Sequence, residues 1–166
     1  IGTTVVLGFK KLISIASDAQ ETFSKFDTVF KDVAKSAAKV AKDFARDFGL
    51  SDLAAKRLLG TTGDILTGFG FTGRAALDLS KKVNELAVDL GSFQNISSER
   101  ASESLTKALT GETESLKLLG IVIRQDTKEF RDNVAAMQES QGVTLQQAKS
   151  LEILRQATLQ SKNAVG

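Results

Sequence analysis

No proline, cysteine, histidine, tryptophan or tyrosine occurs in the 166 residues of this chain. Average usage of about 5% would supply about eight prolines. Their absence, together with abundant Ala, Leu, Lys and Glu, points to an almost wholly helical protein. Without cysteine there is neither a disulfide framework nor a thiolate metal site, and the redox compartment stays open. Without histidine the usual general base and the commonest zinc ligand are gone, so acid–base chemistry falls to carboxylates and lysines alone. Charge of one sign is lacking as well. A net charge of +2 is far from the field that gathers a polyanion. No apolar run approaches the roughly 20 residues of a membrane span. Residues 1–7 are apolar, but Gly8, Lys10 and Lys11 end that run. No basic leader precedes it, so a secretory signal is a poor match. Ile1 in place of an initiator methionine, and a carboxyl end without a stop signal, read as a piece of a longer chain.

What is present is ordinary for a folded chain: 42% apolar and 25% charged residues. The length suits one medium domain with an arm and is too short for two substantial cores. The organising stretch is Phe9, Leu12, Ala16, Ala19, Phe23, Phe26, Phe30, Val33, Ala37, Val40 and Phe44. Its gaps alternate three and four, the seam of a helix that buries one stripe against another helix. No glycine or proline interrupts the run between Gly8 and Gly49. The expectation is one helix over residues 3–48, about 70 Å long, with a break at Ala16–Ala19 as the alternative. Its first turn, around Thr4, Val5 and Val6, could fray or be extended. Gly49 supplies a left-handed stop.

Further along, Ser51 caps a helix through Phe69, in which Gly60 and Gly63 either break the helix or let another backbone come close. Thr72 looks like the next cap, for a stripe of Ala76, Leu79, Val83, Leu86, Leu90 and Phe93 that Asn95 ends. Ser97 caps a shorter helix that Thr110 and Gly111 close. A helix starting at Glu112 and Glu114 stops at Gly120. The run Ile121, Val122 and Ile123 is strand-like but too short to found a sheet. Asp126 or Thr127 opens a helix that Gly142 closes. Thr144 with Gln147 forms a capping box for a last helix reaching about Asn163. No repeat or low-complexity tract is present.

Three motifs resemble chemistry. Gly68, Gly70 and Gly73 satisfy G-x-G-x-x-G with Asp89 downstream, but a dinucleotide site needs a preceding strand, and the pattern before Gly68 is helical. A helix–helix turn explains it. Lys31, Lys35, Lys39, Lys42 and Arg46 form a basic track, yet between Glu21 and Asp47 six basic residues face five acidic ones. That balance indicates a solvated face with i,i+4 pairs, and charge does not indicate DNA contact. Glu112 and Glu114, two apart on a helix, point to different sides and suit a helix start. Six of the ten phenylalanines lie between Phe9 and Phe48. Any part of their stripe left uncovered is an interface. The candidate interface residues are Phe23, Phe26, Phe30, Val33, Val40 and Phe44.

From about Lys11 onward the chain resembles phage tail tape measure proteins. The resemblance is carried by residues 11–18, by Lys25 and Phe26, and by Phe48, Gly49, Leu50 and Ser51. Most specific are residues 86–95, then Ile96, Ser97, Ser98, Glu99 and Ala101. It continues through residues 108–112, Ser115, Leu116 and Lys117 to Leu119, Gly120 and Ile121. These stretches occur in order and span roughly 150 of the 166 residues. One departure is at Ser115 and Leu116, where related chains often carry Glu-Pro before Leu. The resemblance implies a long helical molecule in the lumen of the tail tube whose length sets the tube's. It implies location in the virion tail, and in host cytoplasm during assembly. It implies contacts with copies of itself through helices, with tail-tube subunits, tail assembly chaperones and tail-tip proteins.

The sequence therefore predicts an all-α fold: a long N-terminal amphipathic helix with coiled-coil patterning over residues 1–48, and a domain of short helices over 49–166. No residue is assigned to catalysis, a cofactor or a metal, no small-molecule ligand is expected, and the chain is not read as an enzyme. The alternative is a membrane-active amphipathic module that assists envelope penetration and DNA ejection, from the Phe-rich face with lysines opposite.

Overall fold

Helix boundaries fall where capping chemistry puts them. The computed structural model describes residues 2–162, with side chains from Ser14 on. Among them are seven α-helices: α1 (Gly2–Val29), α2 (Ala34–Asp47), α3 (Asp52–Gly68), α4 (Gly73–Gln94), α5 (Ser98–Leu109), α6 (Lys128–Gln141) and α7 (Leu145–Gln160). Tighter 3₁₀ turns occupy Lys31–Val33 and Thr113–Leu119, and no strand occurs among the described residues. The Ser51 hydroxyl accepts from the Ala54 N–H, Ser97 from Arg100 and Thr127 from Phe130. Thr144 accepts from the Gln147 N–H while the Gln147 side chain accepts from the Thr144 N–H, a reciprocal box. Thr72 occupies the cap position of α4 but makes no side-chain bond there. Left-handed residues follow several helices, with Asn95 at φ 55° doing so without a glycine's freedom.

The single rod expected over residues 3–48 is interrupted. Phe30 leaves helical geometry and a 3₁₀ turn separates α1 from α2, with the Val33 N–H donating to the Phe30 carbonyl at 2.9 Å. Ala16–Ala19, the expected weak point, lies within continuous helix. Packing explains the site of the break. Lys25 pairs with Asp64, Phe26 lies on Gly60 and Phe30 on Gly63, so α1 runs parallel to α3. A straight continuation would carry Ala37, Ala41 and Phe44 past the end of α3 into water. The bend returns them onto α3 and α4, where all three are buried. Burial of Phe44 alone is worth about 2 kcal/mol, more than the one or two helical hydrogen bonds disturbed. Phe9 and Leu12 belong to the expected seam, but their side chains lie outside the described residues, as does Asn163.

Glycines 60 and 63 resolve in favour of close approach. A Cβ at Gly63 would lie 2.4 Å from Phe30 Cζ, and one at Gly60 would lie 3.4 Å from the Phe26 backbone. The rings of Phe26 and Phe30 meet edge to face at 5.1 Å. Beyond this notch, α3 and α4 pack together, α4 on α5, α5 on α7, and α6 on α7. One buried cluster runs from Phe26 to Ala157. The segment from Glu112 is a 3₁₀ stretch, not the expected α-helix, and it tucks Leu116 and Leu119 under α5. Ile121 and Ile123 are buried and Val122 faces out, the alternation of an extended chain. Instead of a second strand, the Gln160 side chain pairs with Val122, accepting from its N–H and donating to its carbonyl.

Candidate interaction surfaces

The six candidate interface residues do not share one surface. Phe26, Phe30 and Phe44 are core, each at most 2% exposed, which corrects the expectation that they await a partner. Val33 and Val40 are half-buried against that core. Phe23 is 37% exposed, with the Lys56 ammonium 4.7 Å above its ring centre. The seam pattern states that a helix covers the stripe, but not whose helix, and α3 with α4 supplies the cover. The face a membrane-active module would present is likewise interior from Phe26 on.

The uncovered part of the stripe lies further toward the N-terminus. Lys56, near the start of α3, is level with Phe23, so α1 overshoots α3 by several turns. Ile15 is 53% exposed, Ala16 is exposed, and Ala19 and Thr22 are half-covered. Ile15, Ala16, Ala19 and Phe23 share one side of the helix by spacing. They form a narrow apolar edge on a projecting arm.

The basic track is a solvated face. Lys39 and Arg46 both bond Asp43, and Arg46 also bonds Asp47. Hydrogen bonding by Lys39 holds the Asp43 carboxyl below the usual carboxylate range. Gly68 to Gly73 is the α3–α4 turn, with Gly70 and Gly73 at positive φ. Glu114 pairs with Lys117. None of the three motifs joins another chemical group into a site.

Patterning does not reveal the main concavity, because residues from three helices far apart in sequence build it. An open groove of about 570 Å³ lies between α4 on one side and α6 with α7 on the other. Its floor is Leu79, Leu86, Met137, Leu151, Leu154 and Leu159. Lys82, Glu85 and Asp89 form the α4 edge, and Arg155 the opposite one. Glu85 is paired with Lys81, whereas Lys82 and Asp89 have no ion pair among the described residues. Burial, and then the Glu85 charge, push the Asp89 carboxyl up. Phe93, 62% exposed, continues the same face of α4 one turn beyond Asp89.

Polar groups in the interior serve structure. The Asn84 amide of α4 donates to the Thr62 hydroxyl of α3 at 3.0 Å and accepts from the Ser102 hydroxyl of α5 at 2.6 Å. Thr62 in turn meets Thr106. Glu152, fully buried on α7, accepts from Arg155 Nε at 2.7 Å, Gln156 Nε2 at 2.8 Å and Asn133 Nδ2 of α6 at 3.0 Å. Burial pushes its carboxyl up, but these bonds outweigh it and hold the group below the usual range. No buried polar side-chain atom among the described residues lacks a partner. Among the described residues no group of three or more acidic side chains converges as a metal site. No described helix is long and apolar enough to cross a membrane. Comparison with protein-family models, curated proteins and solved structures finds no match to this chain.

Proposed function

We propose that this chain is a structural, non-enzymatic segment of a phage or prophage tail tape measure protein, which occupies the tail-tube lumen and helps set tail length. The observation that carries the reading is the ordered series of tape-measure-like stretches from Lys11 to Ile121. Helical architecture supports it, because a ruler needs a constant rise per residue and tolerance of side-chain detail. The seam also keeps its three–four spacing across the break, through Phe26, Phe30, Val33, Ala37 and Val40. In the tube, the turn at Lys31–Val33 straightens and residues 3–48 form one rod. Copies of the chain, tube subunits, assembly chaperones and tail-tip proteins are its partners, in host cytoplasm during assembly and then in the virion tail.

The test is tail length. In-frame deletion of α1, 28 residues, from the parent gene shortens tails by about 42 Å at 1.5 Å per residue. Larger deletions shorten them in proportion, as measured by electron microscopy of virions. Tails of unchanged length across the series overturn the reading.

A further inference from the structure

The chain carries two apolar features that do not meet each other. One is convex: the α1 arm with Ile15, Ala16 and Ala19 along its edge. The other is concave: the groove between α4 and α6–α7. Within one molecule α1 packs on α3, and the groove has no α1 or α3 residue in its lining. We propose that the groove receives the α1 arm of a second copy of this chain, so that copies join head to tail.

Size and chemistry fit a helix edge. A cleft of about 570 Å³ with six aliphatic or thioether side chains on its floor takes the apolar anchors that an amphipathic helix offers at three–four spacing. The small residues Ala16 and Ala19 let the arm's backbone come close to the floor. Ile15 then supplies the anchor. Leu159, 44% exposed at the groove's end, and Phe93 beyond Asp89 lengthen the apolar contact.

Charge selects this occupant and its direction. Lys82 and Asp89 lie seven residues apart on the α4 edge, hence about 10 Å apart along the axis and on nearly the same side. In the arm, Lys11 and Asp18 are also seven residues apart and share one flank of the apolar edge. An arm lying antiparallel to α4 sets Asp18 against Lys82 and Lys11 against Asp89. The two unpaired charges of the groove edge are both answered. Asp89 gains most, because burial and the neighbouring Glu85 already disfavour its charged form. A parallel arm sets like charges together, which disfavours that orientation.

Such a contact is heterologous: each copy uses its arm on one neighbour and its groove on another, so the assembly is an open chain. The proposal depends only on groups within this polypeptide. It is independent of the tail reading, which is judged by tail length.

The experiment is sedimentation velocity on the full chain over a range of concentrations. Wild type is expected to grow in mass with concentration. Ile15→Asp in the arm and Leu159→Asp in the groove are each expected to sediment as monomers, with circular dichroism melts confirming that both exposed-site variants fold. Mixing the two variants restores one contact only, between the intact arm of Leu159→Asp and the intact groove of Ile15→Asp, and yields a 1:1 dimer that grows no further. Asp18→Lys weakens association about tenfold, and Lys82→Asp in the same chain recovers it. A wild type that stays monomeric, a Leu159→Asp chain that associates like wild type, or a mixture without dimer each overturns the proposal.

Discussion

Gly63 is where a single atom decides whether α1 can sit on α3. A Cβ there meets the Phe30 ring at 2.4 Å, and the ring is hemmed in by Phe26 at 5.1 Å. Gly63→Ala is therefore expected to destabilise the fold by about 2 kcal/mol, as overpacking does, in urea denaturation. Gly68 has open space around its Cβ direction and no positive φ. Gly68→Ala should leave stability unchanged or raise it by about 0.5 kcal/mol. Glu152 sets the acid side of stability. Its folded carboxyl is held below its unfolded value, so its contribution is present above the ordinary glutamate range. That contribution is lost as pH falls through the depressed folded value. Glu152→Gln leaves Arg155 without its anion, and part of the cost is relieved because Arg155 is partly exposed. The expected loss is about 2 kcal/mol at pH 7, shrinking as pH drops below about 4, in melts followed across pH.

At the scale of helices, termini were the most legible feature of the sequence. Ser51, Ser97, Thr127 and Thr144 stand where side-chain oxygens were expected to receive N–H groups, and all four do. Caps are readable because their partners lie two or three residues away, within reach of local pattern. Thr144→Ala should cost about 1 kcal/mol and speed hydrogen exchange in the first turn of α7 before the rest. The break at Lys31–Val33 was not legible, since no residue there is a breaker. It exists because of where α3 ends, which only the assembled fold specifies. Asn84 was equally hidden: an amide in an apolar stripe gives no sign that hydroxyls from two other helices will meet it. Asn84→Leu strips partners from Thr62 and Ser102 in the interior, and a loss of about 3 kcal/mol is expected in denaturant titration.

Over the whole molecule, the all-helical class follows from composition and spacing, while the groove required three separated helices to converge and left no mark in sequence. The heptad seam announced an apolar edge correctly and overstated how much of it stays uncovered. Protection should follow this division. Amides of residues 14–22, in a helix without a neighbour along most of its circumference, are expected to exchange within seconds at neutral pH. Those of α3 and α4, which share the buried cluster, should exchange only with global unfolding. Uniform slow exchange through α1 would contradict the arm.

The parallel seating of α1 on α3 also makes the molecule mechanically direction-dependent. Tension drawn along the arm's axis loads the Phe26 and Phe30 notches and the Lys25–Asp64 bridge together, in shear. The same tension applied sideways levers them out one after another. In an optical trap, handles that pull lengthwise should record a single high-force rip, and handles that pull across the arm a series of small ones.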